Sequence, residues 1–297
     1  MALSNHLKAD LLLVLTTILA GAGWIFSKEA LAGLAPLLFI AMRFSAAGVL
    51  LGCLRVGSLR ALTAEQWRAS LHVGVFFGIA IVFWILGLHL ASHVGVGAFL
   101  TSLGVVMVPL VGLAFGERPG RYVFYSLPFV AAGLACLSLD TEFSIGWGEA
   151  SFLVAALFFS LTFILNSRAS ARTPAVPLTA IQLVLAGLIT LAVSILTENW
   201  NFDQPPAIWG WFLASVLIAT SLRFSIQTRA QGMAPASHAA IIMTLEPVWA
   251  ALMAVGWLGE RMSLLQVIGC GLIFMAMLVN RWPAVRYWMR LVREEKS

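Results

Sequence analysis

The chain has 297 residues, 61% of them hydrophobic and 10% charged, with a formal net charge of +5 and a mean hydropathy of +0.95. Soluble domains are about 45–50% apolar and about 25% charged, and a soluble globule of this composition lacks the polar surface to cover itself. A soluble enzyme, a disordered chain and a nucleic-acid module are thereby excluded. What remains is an all-α polytopic membrane protein.

Taken in chain order, apolar runs occupy residues 10–31, 36–54, 71–90, 94–115, 120–138, 148–166, 177–196, 208–228, 238–258 and 263–281. Each is close to the roughly 20 residues that cross a hydrocarbon core about 30 Å thick. The runs are continuous rather than alternating, which predicts ten helices and not a β-barrel. The weakest break is His89 to His93, where a 45-residue apolar stretch divides into a helical hairpin. Lys8 and Ala20-Gly21-Ala22 imitate a secretory leader, but the apolar run continues through Trp24, Ile25 and Phe26, so residues 10–31 are read as a span. Cys53, Cys136 and Cys270 lie inside apolar runs and read as small buried residues; no metal-ligand spacing occurs.

With both termini on one side, that side collects fourteen Lys and Arg residues against two on the other. Positive residues accumulate on the cytoplasmic side, which predicts cytoplasmic termini. Residues 284–297 form a basic cytoplasmic tail.

The chain repeats itself. Gly116-Glu117-Arg118 follows the fourth run and Gly259-Glu260-Arg261 the ninth, 143 residues later. Each is preceded by a span with a central proline, Pro109 or Pro247. Pro36-Leu37 opens the second run and Pro177-Leu178 the seventh. Five spans per half is an odd number, so the halves 1–143 and 144–283 are expected to enter the membrane in opposite senses, as in transporters built from inverted repeats.

Ionisable groups deep in a membrane face a cavity or a partner. Glu246, beside the expected kink at Pro247, is a candidate to hold a proton or an ammonium group; the bland alternative pairs it with Arg223. Arg43 suits a substrate carboxylate or an ion pair with another helix, for instance through Glu29. Arg223 and Gln227 share one helical face, and Gln227 and Gln182 are cavity candidates or interhelical hydrogen-bond donors. The deep tryptophans Trp24, Trp84 and Trp249 suit stacking on a substrate or plain packing, with Trp24 the best cavity candidate. The histidines lie at span ends. Small residues at Gly74/Gly78, Gly95/Ala98 and Gly269/Ile273 mark close helix contacts.

Several motifs together resemble the EamA branch of the drug/metabolite transporter superfamily. They are Trp24-Ile25-Phe26-Ser27-Lys28, Pro36 to Arg43, Ala98-Phe99-Leu100-Thr101-Ser102-Leu103, Val108-Pro109 with Gly116 to Pro119, and Ala239 to Ala250 with Gly259-Glu260-Arg261. The resemblance runs over residues 10–281, with Ile25 where the family often has Gly. It implies a ten-helix inverted-repeat secondary transporter of small metabolites working by alternating access in a bacterial inner membrane. Within it, amino-acid exporters, including those for aromatic and other neutral amino acids, are the best-known branch; others carry sugars or lipophilic cations. The residues themselves give as candidates for the substrate cavity Trp24, Arg43, Trp84, Thr101, Gln182, Gln227 and Glu246, with Pro109 and Pro247 as candidate gating kinks. No cofactor and no nucleic acid is implied; the partners are a small-molecule substrate and the bilayer, with a homodimer left open. An intramembrane enzyme is the rival class, but no H-E-x-x-H, G-x-S-x-G or P-loop motif occurs.

Overall fold

The computed structural model describes residues 5–90, 94–138, 146–259, 262–280 and 282. All regular structure among them is helical: α1 (Asn5–Ala30), α2 (Pro36–Leu54), α3 (Val56–Arg60), α4 (Ala64–Leu90), α5 (Val94–Ala114), α6 (Arg121–Ser138), α7 (Trp147–Ser170), α8 (Ala175–Thr197), α9 (Pro206–Val216), a π-helical segment Leu217–Leu222, α10 (Arg223–Gln231), α11 (Ala236–Met243), α12 (Glu246–Leu258) and α13 (Leu264–Asn280). Seven helices are long and apolar enough to cross a membrane, counting Pro206–Gln231 and Ala236–Trp257 each as one; Phe99–Ala114, Arg121–Leu137 and Leu264–Asn280 are shorter apolar stretches. His93, the pair Glu260-Arg261, and the basic tail 284–297 lie outside the described residues.

The third run begins earlier than expected. α4 starts at Ala64 rather than residue 71, because Thr63 and Gln66 form a capping box: Thr63 Oγ1 accepts from the Gln66 amide (3.2 Å) and Gln66 Oε1 accepts from the Thr63 amide (3.0 Å). The first turns of this helix are polar, so hydropathy alone missed them. Gly116 and Gly259, the first residues of the two Gly-Glu-Arg motifs, adopt φ of +77° and +67°. Gly259 caps α12, its N–H reaching Ala254 O, and the Glu117 N–H reaches Gly112 O (2.9 Å) beyond the end of α5. Left-handed φ favours glycine at such helix ends, which gives the repeated motif a local purpose.

α2 packs along α8, α4 and α5 on α7, α6 on α13, and α1 on α10, α11 and α12. Two of these pairs meet backbone to backbone. A Cβ on Gly48 would stand 2.7 Å from Val184 N and 2.8 Å from Ala180 O; one on Gly187 would stand 2.7 Å from Ser45 N and 3.0 Å from Ala41 O. In α6 and α13, Gly133 faces Gly269 and Ile273, and Gly269 faces Gly133 and Leu137. Gly74 and Gly78 of α4 likewise abut Leu185 and Ile189 of α8. Small residues permit such approach. Cys53, expected to be buried, is exposed, and all three cysteines are free; the buried face of α2 is the one carrying Phe44, Gly48 and Leu51.

One carboxylate joins the halves at the end away from the amino terminus. Pro36 supplies no N–H, and the next two amides of α2, Leu37 and Leu38, donate to Glu198 Oε1 and Oε2, each at 2.8 Å. Ser194 Oγ also donates to Glu198 (2.8 Å) and accepts from Trp200 Nε1 (3.0 Å). A carboxylate at a helix N-terminus satisfies orphan donors and the helix dipole together. Glu198→Ala is expected to cost about 2 kcal/mol, read as a lower thermal midpoint in detergent, and Glu198→Gln about half of that.

Candidate functional site

Two helix discontinuities face each other across α1. The expected kink at Pro247 is a break. α11 ends at Met243, and α12 restarts at Glu246 with Pro247 in its first turn, where the missing N–H costs nothing. Glu246 therefore sits in the first turn of α12, midway along the span, where the positive helix end favours a carboxylate. The second discontinuity is the π-helical segment Leu217–Leu222, in which the Thr220 hydroxyl donates to Ser215 O five residues back (2.8 Å). Nothing in the apolar pattern predicted it. By contrast Pro109, also an expected kink, lies inside an unbroken α5.

The charged groups gather at these breaks. Arg223 NH2 donates to Glu246 Oε2 at 3.0 Å, the two side chains 15% and 28% exposed. Arg223 also stacks on Phe224, 4.5 Å from the ring centroid. Trp24 Nε1 approaches Glu246 Oε1 at 3.4 Å, while the Trp24 side chain is 54% exposed. Gly21 and Gly23 bring α1 in that close: added Cβ atoms would stand 2.8 Å from Trp249 Cβ and from Ala219 Cβ.

Arg43 does not pair with Glu29. Its Nε donates to Thr220 Oγ1, NH1 to Ser27 Oγ (2.9 Å) and NH2 to Ala219 O (3.3 Å), and the guanidinium lies between the rings of Phe39 and Phe44. It is threaded into the π-helical segment and lies within electrostatic reach of Arg223 and Glu246. Ser27, Ala219 and Thr220 are thus site residues that sequence reasoning missed; the polar Thr220-Ser221 pair inside an apolar run was the available signal.

The remaining candidates divide. Gln182 is buried, and its Oε1 has no partner; Thr101 Oγ1, Gln227 Oε1 and Trp249 Nε1 are likewise buried atoms without a hydrogen bond. Buried polar atoms are normally satisfied; Ser45, Glu149, Thr162, Asn166, Ser167, Ser221, Arg223, Ser225 and Gln231 also carry such atoms, so the feature is not confined to these four. Trp84 instead packs against the Leu100 and Phe152 cluster with Leu88 and Leu103, which is the bland reading. Among the described residues no group of three or more His, Cys, Asp or Glu side chains is arranged to hold a metal.

The EamA-like transporter family profile matches residues 7–139 and again 146–282. The chain therefore belongs to the EamA-like transporter family, and it is a multi-pass membrane transporter of that type. Two proteins of Archaeoglobus fulgidus, each described as an uncharacterized transporter, are similar to it: one is 25% identical over 276 residues, 93% of this chain and 86% of the relative. The other is 23% identical over 268 residues, 90% and 94%. A crystal structure described only as that of a protein superposes with a TM-score of 0.78 at 20% identity, covering 94% of this chain and 98% of its own. That likeness concerns the fold.

Proposed function

We propose that the chain is a ten-span secondary transporter built as two inverted five-helix repeats, residues 1–143 and 144–283, and that it exports amino acids, aromatic and other neutral ones, by alternating access. The observation that carries the solute site is the Arg223–Glu246 pair at a helix break with the exposed indole of Trp24 against it. Broken helices with charged groups at their ends are where transporters bind solutes.

The repeat reading is supported by the glycine contacts. Adding 139 to α2 numbers gives α8 numbers: Gly48 becomes Gly187, Ala41 becomes Ala180 and Ser45 becomes Val184, so each glycine meets the counterparts of its partner's neighbours. Adding 136 does the same for Gly133 with Gly269 and Leu137 with Ile273. A two-fold exchange of halves produces this pattern. The double match of the family profile, before and after residues 140–145, agrees with it.

Charge supports the substrate class proposed. Arg43, Arg223 and Glu246 leave the site one positive charge in excess. A bare cation or a neutral sugar gains little there; a carboxylate gains a guanidinium. The ammonium of an amino acid then faces Glu246 or the Gln227 amide oxygen, and its side chain the indole face of Trp24. Lys and Arg asymmetry supports a cytoplasmic location for both termini, and the family resemblance supports a bacterial inner membrane. Liposomes carrying the purified protein are expected to show saturable uptake of labelled phenylalanine, methionine or threonine, competed by the unlabelled compound. Flux of a lipophilic cation or a sugar without any amino-acid flux would overturn the substrate assignment.

A further inference from the structure

A second polar cluster lies at the amino-terminal end of the bundle, away from the Glu246 site. His238, at the start of α11, meets Asp10 of α1 through Nε2 at 3.0 Å and Asn280 of α13 through Nδ1 at 3.1 Å. An Asn280 Nδ2 donor at Nδ1 makes that nitrogen the acceptor, which leaves the Nε2 proton to donate to Asp10. Next to it, Ser237 Oγ donates to Glu117 Oε2 at 3.1 Å, which fastens the turn between α5 and α6 to the same helix start. The Asp10–His238 and Glu117–Ser237 bonds cross from the first half of the chain to the second, and the Asn280–His238 bond lies within the second. Asp10 and His238 are each less than one-fifth exposed. Outside them opens a cavity of about 530 Å³ lined by Glu117, Arg118, Val123, Pro235, Ser237 and His238.

The same two spans carry both contacts. α1 bears Asp10 and Trp24; the span of α11 and α12 bears His238 and Glu246. Between them α1 is pressed onto Trp249 and Ala219 at Gly21 and Gly23. Asp10 lies eleven residues from Gly21, about 16 Å along the helix at 1.5 Å per residue, and between them Leu13 is buried in a cluster with Ala239, Ile242 and Met243 of α11.

We propose that Asp10, His238 and Asn280, with Glu117 and Ser237, form a latch between the halves that holds the amino-terminal end of the solute path closed. The inference rests on the alternating-access reading, because a latch has meaning only where that end opens. It differs from a merely structural cluster in what breaking it does: the protein stays folded and the end becomes open.

The test uses the full chain in lipid nanodiscs, with Cys53, Cys136 and Cys270 replaced by serine and Met243→Cys as the reporter, labelled by a charged, membrane-impermeant maleimide without any solute. Met243 ends α11 on the inner side of His238, is 6% exposed and takes no part in the latch. Asp10→Ala is expected to raise the labelling rate about ten-fold, the population shift that follows from losing a partly buried, charge-assisted hydrogen bond. The exchange Asp10→His with His238→Asp is expected to return it to the parent rate. Asn280→Leu keeps the Asp10–His238 bond and serves if Asp10→Ala does not elute as a folded protein; about a three-fold rise is expected there. Unchanged labelling in the folded variants, or a folded exchange variant that labels as fast as Asp10→Ala, would overturn the latch. Because labelling is read without solute, failed amino-acid flux alongside the expected labelling counts against the proposed substrate and leaves the latch standing.

Discussion

Glu246→Gln is expected to abolish amino-acid flux and to lower stability by about 2–3 kcal/mol, because it strands the Arg223 guanidinium, 15% exposed, without its anion. Arg223→Gln is expected to cost a similar amount by stranding the carboxylate. Combining the two removes both charges, and most of the lost stability should return, since replacing a whole buried pair is much less costly than breaking it. Transport should not return. The Glu246 carboxylate would be gone from the solute path, and Trp24 Nε1 would lose its charged acceptor. The cycle is read by thermal midpoints in detergent beside liposome flux. Recovery of flux in the double variant would make the pair a purely structural bond. Stability losses that simply add would mean that the two side chains are not coupled.

The second large effect belongs to the glycine contact between α2 and α8. A Cβ on Gly187 would lie 2.4 Å from Ser45 Oγ and 2.7 Å from Ser45 N. The hydroxyl can rotate away, but the backbone nitrogen moves only if the helices part. Gly187→Ala is expected to cost about 2–3 kcal/mol, and Gly187→Val to leave no monodisperse protein. Gly210 in α9 is the control: nothing lies within 4 Å of its added Cβ, so Gly210→Ala is expected to be neutral or stabilising by about 0.5–1 kcal/mol through helix propensity alone. A Gly187→Ala protein as stable as its parent would mean that α2 and α8 do not meet this closely.

These effects separate what could be read in the chain from what could not. The helices were legible because each is a long apolar run, and burying that run in lipid is a property of local composition. Their boundaries failed where polar turns extend them, as at Ala64, although the capping pair Thr63 and Gln66 was visible in the sequence. The Gly-Glu-Arg repeat was legible because a helix end that turns left-handed is a local requirement, met at Gly116 and Gly259 alike.

The site was legible in part. A charge inside an apolar run must find a partner, which marked Arg43, Arg223 and Glu246 as important before any geometry existed. Sequence alone kept a substrate carboxylate and an ion pair with another helix, for instance through Glu29, both open for Arg43, because pairing across helices depends on rotation and register that no local pattern encodes. The tertiary structure decided that Arg43 is held by Ser27, Ala219 and Thr220 and that Glu246 is the anion of Arg223. It also decided that the span through Pro247 is interrupted while the one through Pro109 is not. The proline is the same residue in both, and only the surrounding helices determine whether the freed backbone groups are left open or packed over. Composition and periodicity determined a bundle of membrane helices; the close approach of those helices determined where its charges meet.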